Sequence, residues 1–243
     1  MGKLFDIESP LIQGLNKVAD LMWLNVLTLI CCIPIITAGA ALTSAHYVAL
    51  KIKRNEEGYI SREFFKSFKM NFKQSTIIWL LVLLIAFIFL VDFYIIKEGG
   101  IVLSNVLQVV LMAICCLFVF TVIWVFPMQA KFVNSIKGTL KNALALSIIQ
   151  IPRTLLMLVV YILPYVILYF TLQVFPLVFL FGISVPVYVS AILYNKMFKK
   201  LEENILERLE KEKAGETGND LQPETEEEDK IFSDKPLIGD EQQ

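Results

Sequence analysis

Residues 154–195 read TLLMLVVYILPYVILYFTLQVFPLVFLFGISVPVYVSAILYN, an apolar run without one charged side chain, bounded by Arg153 and Lys196. A helix rises about 1.5 Å per residue, so roughly 20 apolar residues cross the hydrocarbon layer of a bilayer. This run is about twice that long and must fold back on itself. The reversal is expected at Gln173-Val174-Phe175-Pro176, giving spans over 154–172 and 174–195. Working outward, three further stretches lack charge: Lys73 to Asp92, Glu98 to Lys131, and Asp20 to Lys51, the last holding only His46. They predict spans over 21–45, 75–96 and 101–126. The expected fold is an all-α membrane protein with five transmembrane helices.

Composition agrees: 56% of residues are hydrophobic, 19% are charged, and the mean hydropathy is +0.65, outside the range of ordinary soluble domains. The net charge of −1 averages two unlike parts. Residues 1–213, the expected membrane domain, carry 20 Lys/Arg against 13 Asp/Glu; residues 214–243 carry 2 against 10. The acidic segment, with Glu226-Glu227-Glu228-Asp229, holds too little apolar surface to order itself and is expected to be a disordered cytoplasmic tail. Membrane topology accounts for the basic residues, so nucleic acid is not an expected partner. The first twenty residues lack the basic start, short apolar run and small-residue cleavage site of a removable signal. Cys31, Cys32, Cys115 and Cys116 form adjacent pairs inside spans, a spacing that fits no zinc or redox motif and suits apolar packing.

Basic residues cluster on the cytoplasmic side of membrane proteins. Lys51, Lys53, Arg54, Arg62, Lys66, Lys69 and Lys73 fill the first gap, Lys131, Lys137, Lys141 and Arg153 the third, and Lys196, Lys199 and Lys200 follow the last span. The second gap, Lys97-Glu98-Gly99-Gly100, has one lysine and the fourth has none. Five spans then place the amino end outside and the carboxyl end in the cytoplasm of a bacterial cell membrane. Two gaps carry helical patterns of their own. Phe64, Phe65, Phe68 and Phe72 share one arc at 100° per residue, beside a basic face of Arg62, Lys66, Lys69 and Lys73. Phe132, Val133, Ile136, Leu140, Ala143 and Leu144 likewise oppose Lys131, Lys137 and Lys141. Both fit amphipathic helices in the cytoplasmic interface, against anionic lipid or a docked protein.

Ser9-Pro10 starts a helix leading into the first span, and Pro34 loosens that span. Thr37, Ala40, Ala41, Ser44 and Ala45 make a small-residue ridge suited to close helix packing, or less simply to a permeation path. Asp92 is the sole carboxylate at membrane depth. Folding a helix pair about Lys97–Gly100 sets it near Asn105, with Gln108 a turn deeper, an intramembrane polar cluster. Tyr161, Tyr165 and Tyr169 form an aromatic stripe, either lining a path for a sugar-like ligand or making a helix contact.

Phe5-Asp6-Ile7-Glu8-Ser9-Pro10-Leu11, Asn16-Lys17-Val18-Ala19-Asp20, Pro34-Ile35-Ile36-Thr37-Ala38-Gly39, Glu56-Glu57-Gly58-Tyr59, Phe65-Lys66-Ser67-Phe68-Lys69 and Pro152-Arg153-Thr154 occur in that order. In this the chain resembles the YesL family of Gram-positive bacterial membrane proteins over roughly residues 1–205. The resemblance implies a small polytopic protein associated with carbohydrate uptake and utilisation, without an established activity or site residues to carry over. Catalysis is not expected. The single histidine excludes multi-histidine metal clusters, and no nucleophile–base triad or phosphate-cradling glycine motif is present. No cofactor is expected. The expected function is an accessory or scaffold protein of a carbohydrate transporter complex; the alternative is a permease-like subunit of an ATP-driven importer. Against the alternative, Phe132-Val133-Asn134 stands where such permeases carry Glu-Ala-Ala ahead of a glycine, here Gly138.

Overall fold

The computed structural model describes residues 10–56, 58–98, 104–216 and 233–234. Its helices are α1 (Pro10–Cys32), α2 (Ala38–Arg54), α3 (Ile60–Glu98), α4 (Asn105–Lys131), α5 (Ile136–Ile149), α6 (Ile151–Phe170), α7 (Phe175–Phe181) and α8 (Ser184–Glu216). Short 3₁₀ turns at Ile35–Thr37 and Leu172–Val174 precede α2 and α7. Phe132–Val133 (β1) pairs antiparallel with Ser233–Asp234 (β2). Apart from those two residues, the acidic segment beyond Glu216 and the Gly99-Gly100 turn lie outside the described residues.

Five helical stretches are long and apolar enough to cross a membrane: Ile12–Cys32, Ile35–Arg54, Ile60–Glu98, Asn105–Lys131 and Ile151–Phe170. The pair Leu172–Phe181 and Ser184–Glu207, bent by 57°, makes a sixth candidate. Two expected boundaries are corrected. The span over 21–45 is not one helix, because Pro34 has no N–H to give and clashes with the preceding turn. The chain therefore breaks between Cys32 and Ala38. The span over 174–195 breaks before Ser184, which puts Pro186 in the first turn of α8, where a missing N–H costs nothing.

The first basic gap is also organised differently. Nothing between Ile60 and Glu98 is Gly or Pro, so α3 continues unbroken for roughly 58 Å from the basic stretch into the apolar one. Its buried positions, Phe64, Ser67, Asn71, Ser75, Ile78 and Val82, recur every three or four residues and face α2 and the core. Phe64 is thus buried rather than turned to lipid, while Phe65 and Phe72 are exposed. The third basic gap does hold a separate helix, α5, packed on α4. It buries Thr139, Asn142, Ala143, Leu146 and Ser147 and leaves Leu144 exposed.

Helix α2 is the centre of the bundle and touches α1, α3, α4 and α8. Ala40, Ala41, Ser44 and Ala45 are fully buried, so the small-residue ridge is a packing surface. Contacts along α3 fix the directions. Lys51 Nζ meets Glu63 Oε2 at 2.7 Å, Thr43 Oγ1 meets Ser75 Oγ at 2.9 Å, and Gly39 lies against Trp79. Trp23 Nε1 of α1 donates to Ser61 Oγ at 2.7 Å. Helices α1 and α2 are therefore an antiparallel hairpin whose tip sits beside Trp79, with the middle of α1 at Trp23 and the last turn of α2 at Lys51 beside the Ser61–Glu63 end of α3. That tip is apolar and uncovered: Ile33 is 77% and Ile35 68% exposed.

A Cβ at Gly39 would stand 2.5 Å from Trp79 Cβ and 2.6 Å from the Ser75 carbonyl oxygen. Gly39→Ala is expected to cost roughly 1–3 kcal/mol through overpacking. Gly14, inside α1 with open space around it, should respond oppositely, with Gly14→Ala gaining roughly 0.5–1 kcal/mol. Thermal unfolding in one detergent checks both signs.

Candidate functional site: two broken helices and the polar core between them

A helix end leaves backbone groups unpaired, and hydrocarbon offers no water to satisfy them. At the first break the Ile30 carbonyl accepts Ile33 N at 3.3 Å. The Cys31 carbonyl accepts Thr37 Oγ1 at 2.6 Å, and the Pro34 carbonyl accepts both Thr37 N at 3.0 Å and Thr37 Oγ1 at 2.9 Å. The Ile35 carbonyl receives the Ala38 N–H and, at 2.7 Å, the Trp79 indole N–H from α3. One threonine and one tryptophan thus seal an interruption that an apolar surround would otherwise penalise.

The second break is sealed from α1. Asn25 is fully buried. Its Oδ1 accepts the N–H groups of Ile183 and Ser184, each at 2.9 Å, and its Nδ2 donates to the Phe179 carbonyl at 2.8 Å. Asn25 serves as an N-cap for α8 and a C-terminal cap for α7, from a helix more than 150 positions away in sequence. Ser184 Oγ, beside it, is buried with no partner among the described residues.

Between the breaks lies a buried chain centred on His46. Its Nδ1 is 3.2 Å from Tyr194 Oη, and its Nε2 is 3.1 Å from Tyr161 Oη. Tyr161 Oη is 2.9 Å from Ser190 Oγ, which donates to the Pro186 carbonyl at 2.5 Å. Proton counting orders these bonds. Ser190 gives its only proton to the helix backbone, so it accepts from Tyr161. Tyr161 must then accept from His46 Nε2–H, which in a neutral ring leaves His46 Nδ1 to accept from Tyr194. A neutral Nε2–H ring thus fills every link in a chain from α8 through α2 and α6 back to α8.

A second polar layer lies toward the basic end. Gln129 joins Asn71 and Thr139 at 3.4 and 3.2 Å, and Trp124 Nε1 donates to Thr154 Oγ1 at 2.8 Å. Arg54 grips Glu202 through two bonds of 2.7 and 3.1 Å and reaches Asn195 Oδ1 with Nε at 2.9 Å. Lys131 approaches the same carboxylate at 3.7 Å.

The residues singled out from sequence land unevenly. The Phe89 ring lies 5.6 Å from that of Phe118 and Trp79 5.9 Å from Phe126, both pairs tilted, which sets the α3–α4 register. Asp92 then lies level with about residue 115, roughly 10 to 15 Å of helix from Gln108 and Asn105. Among the described residues no hydrogen bond joins it to either. Tyr161 enters the core, whereas Tyr165 and Tyr169, at 57% and 85% exposure, face outward, so the stripe does not act as a unit. Arg62, Lys66 and Lys69 share one hollow on α3, and Lys73 is exposed one turn on. All four cysteines are free. No group of three or more metal-ligating side chains occurs among the described residues. In the sequence, Thr37 stands out only as part of the small-residue ridge, and Asn25, Trp79 and Tyr194 not at all, although a lone Asn inside an apolar run is a signal that a partner waits elsewhere.

These features define a helical, multi-pass membrane protein with a self-bonded polar interior. Residues 21–93 match the family model described as "Protein of unknown function, DUF624", a stretch that takes in the second half of α1 with Asn25, all of α2, and α3 through Trp79 to Phe93. Neither the curated proteins nor the solved structures gave a match.

Asn25→Leu should strand the Ile183 and Ser184 N–H groups and the Phe179 carbonyl, costing roughly 3 kcal/mol or more in a denaturant titration. An unchanged midpoint would show that the cap is not holding the break. Tyr161→Phe is expected to cost about 1 kcal/mol and Tyr165→Phe nothing measurable; equal effects would contradict the split of the stripe.

Proposed function

We propose that this chain is a non-catalytic accessory or scaffold protein in a bacterial cell membrane, serving a carbohydrate uptake or utilisation system through helix contacts. The observation that carries it is where the polar groups point. The buried ones are bonded mainly to one another and to helix backbone, whereas the outer faces of α3 from Ile77 to Val91, of α4 and of α6 present an almost unbroken apolar surface. A chain built that way offers its surface to lipid and to neighbouring helices. The order of motifs shared with the YesL family and the DUF624 match, which YesL-like proteins carry, support the family reading; the tie to sugar uptake rests on that resemblance.

A permease-like subunit is the second reading. Two interrupted spans meeting near the bundle centre are a device of transporters, whose substrates sit at half-helix ends. Here Asn25 already occupies the α8 end, and Phe132, in the loop where a coupling segment would stand, is fully buried.

The positive-inside bias puts the basic ends of α2, α3, α4 and α8 in the cytoplasm. Trp23 of α1 and Lys51 of α2 both meet the same end of α3, which supports a cytoplasmic start of α1 in place of the exterior position expected from an uninterrupted first span.

Affinity purification in mild detergent is the test. An intact permease–ATPase complex with this chain as an extra subunit is expected. An ATPase and binding protein without another permease would establish the transport alternative, and recovery of the chain alone would contradict both.

A further inference from the structure

The geometry points to a binding site for the phosphate headgroup of an anionic phospholipid on the basic face of α3. Ser61, Arg62, Phe65, Lys66 and Lys69 line an open hollow of about 530 Å³. The three cations follow one another at i, i+4 and i+7, so they project from one side of the helix. The nearest acid on the same helix, Glu63, does not face Arg62 and Lys69. Glu63 points to the opposite side, where Lys51 Nζ holds it at 2.7 Å and Tyr47 Oη at 3.4 Å. Glu202 is taken by Arg54 and Lys131. These two acids thus serve cations of α2 and α4, while Arg62 and Lys69 stand exposed on α3.

The rest of the hollow fits a lipid better than a free ion. The Trp23 indole closes one side by donating to Ser61 Oγ at 2.7 Å, which leaves the serine hydroxyl proton to give to a phosphate oxygen. Tryptophan at headgroup level is the usual companion of such a boundary. Phe65 and Phe72 are exposed on the same helix, and from Ile77 to Val91 it carries only apolar residues, so acyl chains leaving the headgroup meet a greasy track. Arginine supplies the planar fork that grips a phosphate through two oxygens, and the lysines supply charge around it.

The test is lipid retention by the full chain, purified from vesicles of equal phosphatidylglycerol and phosphatidylcholine and read by native mass spectrometry. Phosphatidylglycerol should be retained selectively. R62Q/K69Q should lower that retention by about tenfold, while R62K/K69R keeps it and K137Q/K141Q, the same charge loss on α5, leaves it unchanged. Equal retention by R62Q/K69Q and the parent would overturn the site. So would equal losses from the α3 and α5 pairs, which would reduce it to general charge attraction. Displacement by soluble glycerol phosphate at equal concentration would assign the hollow to a free phosphate instead. Binding that appears only after removal of residues 217–243 would assign it to the acidic end of this chain.

Discussion

Backbone groups that have lost their helical partners must find others where no water is available, and this constraint shapes the whole bundle. Proline at position 34 interrupts the first apolar run, and a bend before Ser184 interrupts the last. Each interruption exposes carbonyls or N–H groups that a hydrocarbon surround would penalise by several kcal/mol apiece. The protein answers with side chains from its other helices: Trp79 for the first, Asn25 for the second. Those two residues tie α3 to the α1–α2 hairpin and α1 to the α7–α8 bend. The packing order of the core therefore follows from where the breaks fall.

The same logic explains the polar interior. Helices in lipid gain little from burying apolar faces against each other, so close packing of small residues and hydrogen bonds carry the association. The alanines of α2 and Gly39 bring its backbone against α3, and His46 links α2 to α6 and α8 through two tyrosines. Because every proton in that chain has an assigned place, the arrangement is specific: losing one link leaves a buried group without its partner. At the basic end, Glu63 and Glu202 neutralise cations of α2 and α4, while Arg62 and Lys69 stand exposed on α3.

The apolar runs made the class of the protein and most helix positions plain before any coordinates, since charge-free length is a direct measure of what can cross a bilayer. The breaks were harder. Pro34 was recognisable as a weak point, but whether a span kinks or reverses depends on what caps the interruption, and Trp79 lies 44 positions away. The reversal of α1 on α2 therefore could not be read from charge counting alone. The aromatic and basic stretch at Arg62–Lys73 matched a surface helix by its periodicity. Its continuity with the following apolar helix follows from the lack of any Gly or Pro between them, a local fact that the amphipathic pattern obscured. Asp92 and Asn105 were paired by a tight-turn geometry, whereas the aromatic contacts of α3 with α4 set a register displaced by about two turns or more. Tyr161 was visible in sequence as part of a stripe, but only its partners, His46 and Ser190, separate it from Tyr165 and Tyr169.

The central claim is that the α1–α2 hairpin turns inside the hydrocarbon layer, with its interrupted backbone sealed by Thr37 and Trp79. A spin label on a single cysteine at Ile35, in a background without the native cysteines, tests it in bilayers through collision with oxygen and with a water-soluble nickel complex. Label mobility aside, Ile35 should be rich in oxygen contact and poor in nickel contact, like a label at Leu84 and unlike one at Tyr59. Nickel contact at Ile35 equal to that at Tyr59 would put the turn in water and remove the reason for the seal.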